Sequence, residues 1–276
     1  MPDSESMKAA IQQTIQDLME RVLQRVMIDD PFIEAEHRAK KPLYAALVPD
    51  EIFKGSHFER RFVTPFGTVW EQLALVAANK GLGRGFKSWR ISGNVPRERL
   101  RRITEVLNNL EHPNNCSPRQ RPAWNAELAY VMQGDGPLVP VTVICDIFAE
   151  DVTNNHKYAF ELKAPLPNSD QTKVSKEKLL KLYSMEPRQI EGAYYALPYN
   201  PYGQRKDYAW SFPARWFDMH NDPVVLIGDE FWEMIGGSGT YQAFISAVNE
   251  IGPEYKERIY REFLGIEPPK DLQQSL

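Results

Sequence analysis

Between Val139 and Gln171 the chain reads VPVTVICDIFAEDVTNNHKYAFELKAPLPNSDQ, two apolar stretches with charges set inside both. Asp146 interrupts a run of Val, Ile, Cys and Phe, and Glu161 and Lys163 follow Ala-Phe in the second stretch. An unpartnered ion in an apolar setting costs far more than a strand gains. A fold that keeps these strands must therefore place a compensating group between the charges. The polar turn EDVTNN joins the stretches into a hairpin, and opposed residue numbers in an antiparallel pair share one sum. Centring the turn on Thr153 and Asn154 makes that sum 307, which sets Asp146 opposite Glu161 and Ile144 opposite Lys163. Side chains two apart share a face, so Asp146, Glu161 and Lys163 project to one side.

Opposed Cβ atoms lie about 4.5–5.5 Å apart. That spacing suits one Mg²⁺ between two carboxylates, with waters and a phosphate oxygen completing its shell. Two like charges directly opposed destabilise a strand pair, and a cation between them resolves the conflict. Lys163 would orient or deprotonate an attacking water and stabilise a pentacovalent phosphate. The alternative is an edge hairpin whose Lys–Glu pair faces solvent. Glu71, in the apolar helical stretch FGTVWEQLAL, is a further candidate carboxylate, its alternative being an exposed Glu or one paired to an Arg.

Composition sets few limits. The 276 residues are 42% hydrophobic and 25% charged, ordinary for a folded α/β chain. No apolar run of membrane-spanning length occurs, and the acidic, polar N-terminus has no secretory apolar segment. Cys116 and Cys145 have no metal-ligand spacing, which fits a cytoplasmic protein with two free thiols, a disulfide being the alternative. GLGRG lacks the Lys-Ser/Thr of a phosphate loop, so no nucleotide cofactor is expected. The net charge of −4 hides a distribution. Met1 to Glu36 carries 8 acidic and 3 basic residues, Lys80 to Arg102 carries 8 basic and one acidic, and Lys163 to Lys181 carries five Lys against two acids. A basic middle between acidic ends suits one phosphate-facing surface, although a charge run by itself is only a solvated face.

Apolar periodicity predicts helices over Ser4 to Met27, Phe66 to Asn79 and Pro96 to Leu110, with an irregular stretch from Pro31 to Arg61. Alternation predicts an antiparallel meander of Ala126 to Gln133, Val139 to Ala149 and Lys157 to Lys163. A Ser-capped helix, Ser175 to Met185, follows, then strands at Gly192 to Leu197 and Val224 to Ile227. Helices DEFWEMI and Ser238 to Glu250 and a loose tail, EPPKDLQQSL, close the chain. One domain over 1–276 is expected, with helical embellishments at about 1–60 and about 228–276.

The pattern Asp-x14-Glu-x-Lys resembles the PD-(D/E)xK nuclease signature, with Cys145 in place of the usual proline. Beyond it, Glu161 to Lys163, the loop Pro167 to Gln171, the Lys-rich helix and Tyr199 to Pro201 resemble TdeIII/MjaII-type type II restriction endonucleases. The resemblance covers about Arg61 to Gly203. It implies a restriction-endonuclease-like α/β core, a mixed central sheet flanked by helices, and a homodimer that cuts double-stranded DNA at a GGNCC-like palindrome. The metal set is then Asp146, Glu161 and Leu162, with Mg²⁺ as the cofactor, and Glu71 takes the place of a glutamate on the helix before the sheet. DNA contacts are expected from Asn168, Gln171, Lys173 and Lys176 after the catalytic strand, from Arg84, Lys87 and Arg90 on a Gly-rich loop, and from Arg188. Two alternatives stand beside this: a structure-specific repair or recombination nuclease of the same fold, and a DNA-binding protein without catalysis.

Overall fold

The computed structural model describes residues 4–112 and 119–269. Cys116 and the end of the expected tail, 270–276, lie outside them. In chain order the elements are α1 (Ser4–Gln24), a π-helical turn, α2 (Glu34–Lys40), α3 (Pro42–Ala45), α4 (Asp50–Gly81), β1 (Gly83–Pro96), α5 (Arg97–Glu111), α6 (Trp124–Met132), β2 (Leu138–Asp151), β3 (His156–Leu162), α7 (Ser169–Tyr183), β4 (Gly192–Leu197), β5 (Val225–Ile227), α8 (Asp229–Gly236) and α9 (Thr240–Arg258). By compactness the described residues form two units, one spanning 74–241 and the other 4–73 with 242–269.

The first unit holds a mixed sheet ordered β1-β2-β3-β4-β5, flanked by helices. Pairing is antiparallel from β1 to β3 and parallel from β3 to β5. The β2–β3 ladder runs in the register anticipated, with Ile147 opposite Phe160 and Phe148 opposite Ala159. Alternation along β3 sends Ala159 and Glu161 to one face and Phe160 to the other. Ala159 joins a core with Leu107 of α5, Trp124 of α6 and Leu179 of α7. Phe160 meets Phe231 of α8 edge-on at 5.8 Å.

Several elements differ from the pattern-based expectation. Ala126 to Gln133 is not a strand; it lies mostly within α6, which buries Trp124 and Val131, seven residues and two helical turns apart. The strand beside β2 is instead β1, whose outer half, Gly83 to Arg90, is exposed on nearly every residue and so shows no alternation. Arg84, Lys87 and Arg90 therefore lie on an edge strand, not on a loop. Charges there also discourage edge-to-edge association. The stretch read as irregular, Pro31 to Arg61, contains α2, α3 and the first turns of α4. Helix α7 starts at Ser169, capped by Asn168 instead of Ser175.

The second unit packs α1 through Met7, Ile11, Ile15, Leu18 and Val22, a stripe at three- and four-residue spacing. From α9, Tyr255 donates to Glu20 Oε1 at 2.9 Å, and Arg258 pairs with the same carboxylate. No described helix is long and apolar enough to cross a membrane.

Gly81, at the end of α4, abuts the backbone of Gly236 at the end of α8. A Cβ on Gly81 would lie 2.5 Å from both the Cα and the carbonyl carbon of Gly236. Because backbone cannot yield as a side-chain tip can, Gly81→Ala is expected to cost about 2 kcal/mol or more. Urea unfolding checks this, and an unchanged midpoint would refute the close approach.

Candidate active site

Strand β2 pairs with β3 only from Ile147 outward, while β3 continues beside β4 to Leu162. The hairpin ladder thus ends one step short of Asp146 and Glu161. The Leu162 N–H donates to Asp146 Oδ2 at 2.9 Å, so a side-chain carboxylate accepts a backbone donor of the neighbouring strand just past the end of the ladder. The Lys163 N–H bonds the Ala196 carbonyl at 3.0 Å and anchors the end of β3 to β4. On the other side of β2, the β1 ladder skips Ser88, which has φ 51° and stands level with Asp146. Asp146 therefore occupies a gap in the ladder on both flanks.

The side chains converge. Lys163 Nζ donates to Asp146 Oδ2 at 2.6 Å and to Glu161 Oε2 at 3.3 Å. Lys178, one turn before the end of α7, donates to both oxygens of Glu161, at 2.8 and 3.0 Å. Glu161 itself is 1% exposed. Burial, and then the neighbouring Asp146 carboxylate, push its pKa above the usual range, while Lys163 and Lys178 pull the other way. Burial works against the Lys163 charge, yet Glu161 and Asp146 outweigh it and hold the lysine protonated above its ordinary pKa. Burial and the same two carboxylates push the Cys145 thiol up to about 12, which leaves it inert as a nucleophile.

A single ammonium sharing one oxygen from each carboxylate marks a point where both acids face a common cation. Two carboxylates are hard oxygen donors, and with the Leu162 carbonyl as a third they would fit Mg²⁺ or a similar divalent ion that keeps several waters. Among the described residues no cluster of three His, Cys, Asp or Glu side chains offers an alternative metal site. Glu71 is half-buried on α4 and belongs to the other compact unit.

The residues expected at DNA divide sharply. The loop leading from β3 into α7 is pinned by three aromatic donors: Tyr208 to the Pro165 carbonyl at 2.9 Å, Trp210 to the Pro167 carbonyl at 2.8 Å and Trp216 to Ser169 Oγ at 2.9 Å. Asn168 and Gln171 are exposed at its end, the Asn168 side chain accepting from the Gln171 N–H at 2.8 Å. Lys173 pairs with Glu111 and lies over the Trp216 ring at 5.5 Å. Arg84 lies 3.6 Å from Glu150, and Arg90 is exposed opposite Ile144. Lys87 is exposed on the same strand. Arg188 is exposed but donates to the carbonyls of Ile190 and Glu191, at 2.8 and 2.6 Å. Lys176 overturns the expectation. It is fully buried, bonded to the Trp216 carbonyl and paired with Glu127 at 2.5 Å, with the Phe217 ring 5.0 Å away. Burial pulls its pKa down despite Glu127. A lysine enclosed in this way cannot reach a phosphate.

Sequence patterning missed Lys178 and chose its neighbours. The available signal was helical phase: Ser175, Leu179 and Leu182 are buried, and Lys178 lies at the border of that stripe.

Lys176→Ala leaves Glu127 largely buried and uncompensated, which costs about 3–5 kcal/mol. A large fall in melting temperature is expected; normal melting with weakened DNA binding would return Lys176 to the surface.

A family model described as "Type II restriction endonuclease, HinfI" matches residues 7–252. The chain is 28% identical over 230 residues to the type II restriction enzyme HgiCII of Herpetosiphon aurantiacus, covering 81% of this chain and 82% of that protein. It is 25% identical over 265 residues to HgiEI of the same organism, covering 92% and 93%. A third relative there, HgiBI, is 25% identical over 233 residues, with 81% of each chain covered.

Proposed function

The chain belongs to the HinfI family of type II restriction endonucleases, and from that premise we propose that it hydrolyses double-stranded DNA with Mg²⁺ at the Asp146–Glu161–Lys163 site. The observation that carries the proposal is the Lys163 ammonium held between Asp146 Oδ2 and Glu161 Oε2. Family membership removes the reading of a DNA-binding protein without catalysis. It supports a restriction enzyme over a structure-specific repair nuclease.

On this reading Asp146, Glu161 and the backbone of Leu162 would hold the metal, which when bound would supply Lewis-acid polarisation of a phosphoryl oxygen and a more acidic water. Asp146 and Glu161 fix the position at which water meets the phosphorus. Lys163 would orient or deprotonate the attacking water and donate to phosphate oxygens as negative charge grows on them in the pentacovalent state. Attack would form one P–O bond and break the opposite one, the water losing a proton to solvent and the leaving oxygen taking one from it, which leaves a phosphate monoester and a hydroxyl.

Asn168 and Gln171 are the proposed base readers, at the end of a loop fixed by Tyr208, Trp210 and Trp216. Arg84, Lys87 and Arg90 on β1, together with Lys173 and Arg188, are proposed for phosphates. Glu71 enters as a further carboxylate on the strength of its sequence setting alone. A symmetric dimer matches a palindromic target. The TdeIII/MjaII likeness of the loop and helix points to a GGNCC-like site.

Incubation with a panel of plasmids and Mg²⁺ is expected to give discrete fragments whose mapped ends share one short palindrome. Glu161→Ala should slow cleavage by about a thousandfold or more, while a gel shift with Ca²⁺ still shows duplex binding. Ragged products, or full activity in Glu161→Ala, would overturn the proposal.

A further inference from the structure

Lys178 accounts for something that the metal reading leaves open. Glu161 is the most buried carboxylate of the site, and both of its oxygens are already engaged by one ammonium, at 2.8 and 3.0 Å. An ammonium within 3.0 Å of both Glu161 oxygens occupies the carboxylate edge that a cation bound to Glu161 would use. Divalent ions bind carboxylate oxygens at about 2.0–2.6 Å, so a metal and the Lys178 ammonium would crowd the same two atoms while repelling each other.

We propose that Lys178 is a resident stand-in for the catalytic metal: it neutralises Glu161 in the metal-free protein and must be displaced when the metal binds. This rests on the assignment of Glu161 as a metal ligand. Asp146 and Glu161 carry two negative charges and Lys163 and Lys178 two positive ones, so the resting site is neutral. With Lys178 displaced the site carries one surplus negative charge; a divalent ion turns this into one surplus positive charge, which the incoming phosphodiester cancels. Metal entry without DNA is thereby opposed, and metal and substrate favour one another. Lys178 is suited to leave because it is on the helix, not the strand, and its side chain is 27% exposed, giving the displaced ammonium a path to water. Its neighbour Lys181, on the same helix, bonds Glu177 at 2.6 Å and supplies a control that changes net charge equally.

The test is a calorimetric titration of the full chain, free of DNA, with Ca²⁺. Losing a hydrogen-bonded charge competitor should tighten Ca²⁺ binding by about tenfold in Lys178→Met. Lys181→Met should stay within about twofold of the unaltered protein, because the Lys181 ammonium is engaged by Glu177 and not by a carboxylate of the site. Lys178→Arg, which keeps the cation, should also stay close to it. Melting curves supply a second reading: in chelator Lys178→Met should melt below the unaltered protein, and saturating Ca²⁺ should narrow the gap. Equal affinities for Lys178→Met and Lys181→Met would overturn the stand-in role while leaving the metal site intact. Ca²⁺ binding that Glu161→Gln does not weaken would instead remove the metal assignment, and this inference with it.

Discussion

A carboxylate buried to 1% exposure inside a sheet is the constraint around which the active unit is arranged. Glu161 cannot shed its charge into water, so two lysines from different elements converge on it, one from the strand end and one from α7. Meeting them requires α7 to cross the face of β3 to which Glu161 points. It also requires β2 and β3 to part at Asp146, since a continued ladder would give the Leu162 N–H a partner other than the Asp146 carboxylate. Packing supplies the rest: Leu179 and Leu182 press the helix onto the core that Ala159 and Tyr195 share. Electrostatic demand and apolar burial thus select the same helix position.

The basic stretch from Lys80 to Arg102 shows how a charge count can mislead. Arg99 is buried, donating to the carbonyls of Gly134 and Ser184 and pairing with Glu186 at 2.6 Å. Arg101 and Arg102 both bond Glu98. Those three cations therefore serve the fold of α5 and its neighbours. Of the other cations in that stretch, Arg84, Lys87 and Arg90 are exposed on β1 and Arg97 is exposed at the start of α5.

The convergence of charges in the hairpin was legible because ions in apolar strands admit few arrangements. The turn residues fix the register, and the register fixes which charges share a face. Lys163 could be placed for that reason, and Lys176 could not. Nothing local distinguishes a lysine that points to solvent from one whose ammonium is bonded by Glu127 and a backbone carbonyl 40 residues downstream. Strand β1 was illegible for a related reason. Its outer half has no buried face to impose alternation, and its glycines mimic a loop; it is a strand because β2 offers a full edge to pair with. In WNAELAYVM the apolar residues satisfy both two-residue and helical periods, and only the burial of Trp124 and Val131 together decides between them.

The segment from Ala164 to Asn168 is stitched at both of its interior prolines by side chains 43 residues away in sequence. A connection fastened so closely behaves mechanically as an extension of the sheet. Under the proposed role of Asn168 and Gln171, the protein meets its target with a preformed edge and spends little ordering entropy on contact. A change in what is read would then arise by exchange of side chains on a fixed backbone, with Tyr208, Trp210 and Trp216 as the frame that makes such exchange tolerable.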